Sequence, residues 1–317
     1  MPLDLIKKRI LVTGGTGFLG QHIMRKLNRV CLHAKGIGRE FDLRNLDDTS
    51  QILSEFRPDI IIHLAATCGG IGANRAAPAQ MIHDNLMMGA NLVSACAATQ
   101  HSIKIIAVGS VCSYPADTPV PFKESDLWNG YPEPTNAPYG IAKRVLWSLL
   151  DAYHRQYGLK CAYLIPANLY GPGDHFDLET SHVIPAMIRK FCEAEPRRAM
   201  VTLWGTGAPT RDFLYVEDCA EAIIRAAQRI DMPQPINLGT GVETSISFLA
   251  AQIGQFVGYD GPVEFDTSKP DGQQRRCLDT LRAKELLDWQ ANTPLSEGLR
   301  RTVEWAKNTL ATTTVLR

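Results

Sequence analysis

The chain has 317 residues, 45% of them apolar, and its 33 basic and 33 acidic side chains give zero formal net charge. This length can bury a full core in one large domain or two unequal ones. The neutral total provides no general attraction to nucleic acid or to an anionic membrane. No stretch approaches the roughly 18 apolar residues of a membrane span, and the first ten residues lack the apolar core of a signal peptide.

Cysteine and histidine usage indicates the compartment and argues against a metal site. The eight cysteines are scattered and form no C-x-x-C pair, which is typical of reduced thiols in a cytoplasmic protein. Metal signatures such as H-E-x-x-H are absent, so no metal ligand is expected.

The first half of the chain alternates apolar, β-branched strands with helical stretches. Strands are predicted at 9–14, 59–65, 104–110 and 161–167, and helices near 18–28, 47–56, 79–99 and 138–158. This alternation predicts an α/β fold with a Rossmann-type, doubly wound parallel sheet. The strands are nearly continuous apolar runs, as expected when helices cover both faces of the sheet.

The pattern changes after about residue 172. The predicted elements are a helix at 181–194, a strand at 200–205, a helix that Asp218 could begin, an apolar segment at 246–258, a strand at 262–268 and a last helix from about Ser296. We therefore expect a dinucleotide-binding domain at 1–172, to which some later segments return. Residues 173–317 would form mainly a smaller α/β substrate-binding domain, with a cleft where the two meet.

A glycine-rich stretch, "RILVTGGTGFLGQHI", follows the first predicted strand. Glycines 14, 17 and 20 form G-x-x-G-x-x-G between a strand and an amphipathic helix, the context of a dinucleotide-binding loop. They permit a tight turn and close backbone approach, so a pyrophosphate can sit on the free N–H groups of the helix N-terminus. The expected cofactor contacts are Gly14, Gly15, Thr16, Gly17, Phe18, Leu19 and Gly20.

The segment around the second strand bears on the choice between NADP and NAD. An acid there would hold a ribose 2′-hydroxyl, whereas a cation would hold a 2′-phosphate. The chain offers Lys35 and Arg39 and no acid before Glu40, which favours NADP (NADPH) and leaves NAD as the alternative. Thr16 adds no cation from the glycine-rich loop. Asp42 could accept a hydrogen bond from the adenine amino group, or it could be a loop or capping carboxylate.

Tyr139 and Lys143 lie four residues apart in a helical pattern, so both project from one face. A tyrosine can act as general acid to a carbonyl oxygen, and the lysine charge is expected to lower the pKa of the phenol. Y-x-x-x-K alone is usually an exposed helix pair. Together with the glycine-rich loop and with Ser110, which would donate a hydrogen bond to the same oxygen, it predicts a reductase centre.

These motifs resemble the extended short-chain dehydrogenase/reductase superfamily and, within it, the GDP-L-fucose synthase family. The narrower resemblance is carried by "HLAATCGGIGAN", "VCSYP", "EPTNAPYGIAK", "PANLYGPGDHF", "SHVIPAMIRKF", "LWGTGAPTRDFLYVEDCA", "NLGTGVETSI" and "DTSKPDGQQRR". It implies an NADPH-dependent enzyme that epimerises a GDP-4-keto-6-deoxymannose at two sugar carbons and then reduces the ketone. It also implies further cofactor contacts at Val108, Lys143, Pro166, Asn168, Leu169 and His182.

The same resemblance gives Cys112 and His182 the proton transfers of epimerisation. One group must remove a proton and another must return it on the opposite face. Nearby cations such as Lys143 would favour the reactive thiolate, and a histidine titrates near neutrality. Outside these motifs, Cys112 would be read as a core residue and His182 as a cap or surface residue.

The substrate contacts implied by the resemblance lie mostly in the second half of the chain. They are Asn168, Lys190, Trp204, Arg211, Asp271 and Arg276. Trp204 could equally be an ordinary core aromatic. The family usually has Arg at position 190 and Lys at position 276, and the forked phosphate contact of arginine does not transfer to lysine.

Other departures from the family pattern leave the sugar open. Val111, His175 and Arg75 replace a serine and two asparagines around the expected sugar pocket. A relative acting on another GDP-sugar, such as a heptose, or performing only one of the two activities would look similar.

Two other functions are compatible with parts of this sequence. A nucleotide-sugar 4-epimerase or dehydratase with bound NAD would share the loop and the tyrosine, but a dehydratase would want an acid pair near Ser110. A non-catalytic NADP-binding sensor would be expected to lose Tyr139 or Lys143.

Family members commonly dimerise through two helices, here 79–99 and 138–158, although a central helix of a monomer would also be apolar all round.

Overall fold

The structure is a computed structural model and describes residues 2–177 and 181–315. Its strands are β1 Arg9–Thr13, β2 His33–Ile37, β3 Ile60–His63, β4 Lys104–Val108, β5 Lys160–Pro166, β6 Asn168–Tyr170, β7 Val201–Trp204, β8 Thr210–Arg211, β9 Phe213–Tyr215, β10 Pro235–Leu238, β11 Thr244–Ser245, β12 Val263–Asp266 and β13 Arg275–Arg276. Its helices are α1 Phe18–Val30, α2 Leu46–Phe56, α3 Ile71–Ala76, α4 Pro78–Ala98, α5 Ala137–Tyr157, α6 Val183–Ala194, α7 Val216–Arg229, α8 Ile246–Val257, α9 Leu281–Leu287 and α10 Leu295–Val315.

The central sheet has six strands in the order β10-β5-β4-β3-β1-β2, and every pair in it is parallel. Ile10, Ile62, Ile106 and Leu164 on neighbouring strands are fully buried in one apolar core. Burial on both faces explains why these strands lack an alternation of apolar and polar residues. The predicted Rossmann-type sheet is confirmed.

A second apolar cluster lies under the later helices. Tyr170, Ile188, Phe191, Leu249 and Val303 belong to it. Helices α6, α8 and α10 pack against one another around these side chains, next to the short pairs β7–β12 and β6–β9. Strand β10 and helix α7 return to the first core, so the chain crosses between the two clusters more than once.

The structure corrects one helix boundary. Asp218 does not begin α7, which starts at Val216. The Asp218 carboxylate instead accepts hydrogen bonds from the backbone N–H groups of Asn292 and Thr293. The acid therefore holds a distant loop rather than capping its own helix.

The four predicted apolar strands end one or two residues earlier than expected. The Gly109 N–H still bonds to the Leu164 carbonyl at 2.7 Å, after which the chain turns out of the sheet. In open α/β sheets, ligands bind outside the carboxyl ends of the strands, so these early ends place Ser110 and its neighbours where a ligand would lie. Among the described residues, no helix is long and apolar enough to cross a membrane.

Candidate active site

The glycine-rich loop joins β1 to α1, and its glycines are required by close backbone contacts. A Cβ on Gly20 would lie 2.2 Å from the Gly14 carbonyl oxygen, and one on Gly15 would lie 2.6 Å from the Gly36 Cα. Gly14 has a φ of +68°, which favours glycine. Helix α1 begins at Phe18, with Gly17 as its N-cap. The loop thus leaves an open cradle at a helix N-terminus, which fits a dinucleotide pyrophosphate.

The turn after β2 places the residues that were expected to distinguish NADP from NAD. Arg39 is exposed. The Glu40 carboxylate accepts a hydrogen bond from the Gly38 N–H at 2.8 Å, and this bond lowers the pKa of Glu40. Asp42 binds the Arg44 guanidinium with both carboxylate oxygens, at 2.9 and 2.8 Å, so it is also a loop carboxylate with a structural partner.

A short 3₁₀ turn at Val111–Ser113 follows β4 and carries the candidate thiol. The Ser110 side chain accepts a hydrogen bond from the Cys112 N–H at 3.2 Å, which caps this turn. The local fold therefore explains why serine precedes cysteine by two residues. Ser110 and Cys112 are held at the carboxyl end of the sheet.

Helix α5 brings the predicted tyrosine and lysine to the same turn. The Lys143 side chain is buried, and its Nζ donates to the Val108 carbonyl at 3.0 Å. Its Nζ lies 5.7 Å from the centroid of the Tyr139 ring. The buried Arg144 guanidinium donates to the carbonyls of Ser113 and Gly130, which fastens the helix to the turn.

Burial controls the protonation of both groups on α5. It raises the pKa of Tyr139 well above its ordinary value, and the neighbouring Cys68 and Cys112 act in the same direction, while the Ser110 side chain lowers it. Burial therefore dominates the pKa of this phenol, and the lowering expected from the Lys143 charge stays a prediction. Burial also lowers the pKa of Lys143 to about 8.

His182 is the N-cap of α6 and has no side-chain capping bond. The residue as a whole is exposed. Desolvation of its imidazole by the surrounding protein and the charge of the nearby His175 both lower its pKa. A neutral imidazole can accept a proton, as the predicted role requires. The charge of His175 lowers the pKa of Asp174. The charges of Asp174 and Cys112 both raise the pKa of the Cys68 thiol, so Cys68 links this side of the site to Cys112.

Cys68 and Asp174 were not expected among the site residues. The Cys68 residue is exposed. Desolvation of its thiol by the surrounding protein nevertheless raises the pKa, while the Lys143 charge lowers it and Cys112 raises it. Asp174 is 8% exposed. Its Oδ1 accepts from the His175 N–H at 2.7 Å, and its buried Oδ2 has no hydrogen-bond partner among the described residues. Both residues lie in motifs that resemble the family, which was the available signal.

Asp174→Asn is expected to stabilise the fold at neutral pH. Burial raises the pKa of Asp174 from 3.8 to about 6, so the carboxyl is mostly neutral in both states below about pH 3. As the pH rises to about 6, the carboxyl ionises first in the unfolded state, and the free energy of unfolding falls by up to about 3 kcal/mol. Urea unfolding at several pH values should show a gain for Asp174→Asn at about pH 7 that vanishes at about pH 3. The exposed Asp117→Asn is the control, and an equal gain at both pH values would contradict the prediction.

Arg211 and Arg276 stand side by side in the parallel pair β8–β13. Burial and the charge of Arg276 lower the pKa of Arg211 to about 10. Arg276 is 7% exposed, and its Nη1 lies 3.5 Å from the Cys112 Sγ. Neither guanidinium forms a salt bridge with a carboxylate in the part of the chain that the structure describes. The cation that contacts Cys112 is thus Arg276, where Lys143 had been suggested.

The remaining substrate candidates lie around these arginines or farther along the second cluster. Trp204 is 58% exposed, so the reading of it as a core aromatic is wrong. Asp271 holds the loop next to Trp204, because its carboxylate accepts a hydrogen bond from the Thr206 N–H at 2.7 Å. The Asp271 charge also raises the pKa of Arg211. Lys190, on α6, donates to the Thr202 carbonyl at 2.8 Å.

Three of the predicted cofactor contacts lie where β5 passes into β6. Pro166 ends β5. The Asn168 side chain donates to the Asp212 carbonyl at 3.0 Å, and Leu169 is packed against the first core. Val108, a fourth predicted contact, ends β4 and offers its carbonyl to Lys143.

Gly140→Ala is expected to disrupt the catalytic alignment. A Cβ at Gly140 would lie 2.3 Å from the Cys112 carbonyl oxygen, and backbone on both sides leaves no flexible atom to yield. The alanine must push α5 away from the Cys112 turn, and a displacement of about 1 Å can cost about 100-fold in rate. Steady-state kcat should fall while NADPH binding persists. The exposed Ser148→Ala on the same helix is the control, and a wild-type kcat for Gly140→Ala would refute the argument.

Comparison with known proteins assigns the family. Residues 10–239 match the model of the NAD dependent epimerase/dehydratase family. GDP-L-fucose synthases of Sinorhizobium fredii and Escherichia coli K12 are 39% and 40% identical, covering 96% and 94% of this chain and 97% and 96% of theirs. GDP-L-colitose synthase of Yersinia pseudotuberculosis is 34% identical over 95% of this chain and 98% of its own length.

Solved structures agree with this assignment. A GDP-L-fucose synthetase from Naegleria fowleri bound to NADP has a TM-score of 0.88 at 30% identity, covering 98% of both chains. A GDP-6-OMe-4-keto-L-xylo-heptose reductase from C. jejuni has a TM-score of 0.90 at 27% identity, covering 96% of this chain and 98% of its own. The chain belongs to the NAD dependent epimerase/dehydratase family and, within it, to the GDP-L-fucose synthase family.

Proposed function

We propose that this protein is an NADPH-dependent 3,5-epimerase and 4-reductase that converts a GDP-4-keto-6-deoxymannose-type sugar into GDP-L-fucose or a close relative. The observation that carries the proposal is the meeting of two sets of groups on one short turn. From α5, Tyr139 interacts with Ser110 and Cys112. Lys143 reaches the Val108 carbonyl just before the turn. The Cys112 thiol lies on the turn against Arg276. The first set suits ketone reduction, and the second suits proton transfer at carbon.

NADP(H) is the cofactor, and the glycine-rich loop fits it because close backbone packing at Gly15 and Gly20 brings the loop directly to the N-terminus of α1, where a pyrophosphate can bind. When bound, NADPH supplies a hydride to the ketone carbon. Exposed Arg39 supports binding of the 2′-phosphate, since Glu40 is turned back onto the Gly38 amide. The further residues proposed to hold the cofactor are Thr16, Gly17, Phe18, Leu19, Asp42, Val108, Lys143, Pro166, Asn168, Leu169 and His182.

In the reduction, Tyr139 donates a proton to the ketone oxygen. The raised pKa keeps this phenol protonated at neutral pH, which suits a group that must give up a proton. Ser110 donates a hydrogen bond to the same oxygen, and Lys143 carries its charge below about pH 8. The charge stabilises the tyrosinate that forms when the proton leaves.

In the epimerisation, Cys112 and His182 exchange protons with the two carbons beside the ketone. The ketone acidifies these carbons, and proton return on the opposite face inverts the centre. Arg211 is half-buried and Arg276 is buried, and neither has a carboxylate salt-bridge partner among the described residues. These two cations support binding of the GDP diphosphate between them. Lys190, Trp204, Asn168 and Asp271 are the further proposed substrate contacts.

The test follows NADPH absorbance with GDP-4-keto-6-deoxymannose in deuterated water, with the product analysed by mass spectrometry and proton NMR. The proposal requires NADPH consumption, two deuterons at sugar carbons and a fucose-configured product. Absence of NAD(P) binding would refute it.

A second candidate is a GDP-sugar enzyme for another sugar, such as a heptose, with only reductase or only epimerase activity. The likeness to a heptose reductase fold and the substitutions Val111, His175 and Arg75 favour it. In the same assay it would consume NADPH without deuterium uptake, or would respond only to a GDP-keto-heptose.

We further propose two domains, a homodimer and a cytoplasmic location. Two separate apolar cores support a cofactor domain at 1–172 and a substrate domain at 173–317, with β10 and α7 returning to the first.

Half-buried Ile141, Val145 and Leu149 lie on one face of α5, which supports a homodimer that pairs through α4 and α5. All eight cysteines are free, as in a reducing compartment. Light scattering should give twice the mass of one chain.

A further inference from the structure

Arg276 is held in place by more than its strand. Its Nε donates to the Gln273 Oε1 at 3.0 Å, and the Gln273 Nε2 donates to the Ala116 carbonyl at 2.8 Å. Ala116 follows the turn that carries Cys112. The guanidinium is therefore braced against the segment that presents the thiol, with its Nη1 at 3.5 Å from the Cys112 Sγ.

We propose that Arg276 is a positioning residue for epimerisation, which holds Cys112 in place and stabilises its thiolate before substrate binds. The inference rests on the proposed function and deepens it. Diphosphate binding alone does not require the Arg276 guanidinium to contact the Cys112 thiol. A guanidinium donor beside a sulfur favours the anion, which is the nucleophilic and basic form of cysteine.

Among the residues that the structure describes, Arg276 is the cation that contacts the Cys112 thiol. Lys143 directs its Nζ to the Val108 carbonyl. Arg211 acts on Cys112 from the neighbouring strand and directs its Nη1 to the Thr210 carbonyl. Cys68 and Tyr139 also interact with Cys112, and neither of them is a cation.

The proton balance makes the anion the relevant form in either direction. As a base, the Cys112 thiolate takes the proton from a carbon beside the ketone, and the C–H electron pair passes to the enolate. As an acid, the thiol returns a proton to that carbon and is left as thiolate. Arg276 stabilises the same species at the start of the first step and at the end of the second.

The experiment measures alkylation of Cys112 by iodoacetamide in the substrate-free enzyme, from about pH 6 to about pH 10. Peptide mass spectrometry separates Cys112 from the other thiols. Arg276→Gln should slow alkylation about tenfold at neutral pH and regain the wild-type rate at high pH. Arg276→Lys keeps the charge and should restore most of the rate. Arg275→Gln is the matched control, because Arg275 is exposed and pairs with Glu243.

Gln273→Leu provides a second variant that leaves Arg276 present but removes its brace. It should slow alkylation to a rate between wild type and Arg276→Gln. Wild-type alkylation of Cys112 in both Arg276→Gln and Gln273→Leu would overturn the proposal. Because the assay uses no sugar, failure of the proposed function appears separately, as normal alkylation effects with no NADPH consumption on any GDP-keto-sugar.

Discussion

The Tyr139→Phe variant is expected to reduce the sugar ketone about 10²- to 10⁴-fold more slowly than the wild type, because the proposed general acid is removed. The ring remains, so packing on the half-buried side of α5 is preserved. In the proposed mechanism Ser110 and Lys143 remain in place, but neither replaces the proton that Tyr139 donates. Single-turnover loss of NADPH absorbance measures the effect.

The controls for this variant separate reduction from epimerisation. Deuterium uptake from solvent should persist in Tyr139→Phe, because Cys112 and His182 are untouched. Tyr131→Phe removes the hydroxyl of an exposed tyrosine and should leave both activities unchanged. A Tyr139→Phe enzyme with wild-type reduction would show that another group supplies the proton.

The Cys112→Ala variant is expected to lose deuterium uptake at one sugar carbon by a factor of at least about 10². Its thiol carries the proton in the proposed epimerisation, and no other donor lies on the Val111–Ser113 turn apart from buried Ser113. NADPH should still be consumed, without that deuteron in the product. Proton NMR of the product made in deuterated water reports each carbon separately.

Cys192→Ala is the matched control for Cys112→Ala. Cys192 lies on α6, half-buried against the second core, and its loss should leave deuterium uptake intact. Equal deuterium at both carbons in Cys112→Ala would remove Cys112 from the mechanism. Loss of NADPH consumption together with uptake would instead make Cys112 necessary for both steps.

The sequence alone was sufficient for the sheet, the glycine cradle and the Tyr139–Lys143 pair. Each depends on a local pattern: β-branched runs with buried faces, glycines where no Cβ fits, and a spacing of four on a helix. The family resemblance added Cys112, His182 and the two arginines as candidates. None of these required knowledge of distant contacts.

Only the tertiary structure decided how the groups act on one another. The pKa of Tyr139 is raised rather than lowered, because burial depends on segments far apart in the chain. Arg276 lies 164 residues from Cys112 and reaches it through the pairing of β13 with β8. Asp174 became a candidate through its burial. Local patterns specify which elements form, but desolvation and contacts between charges exist only once the chain has folded.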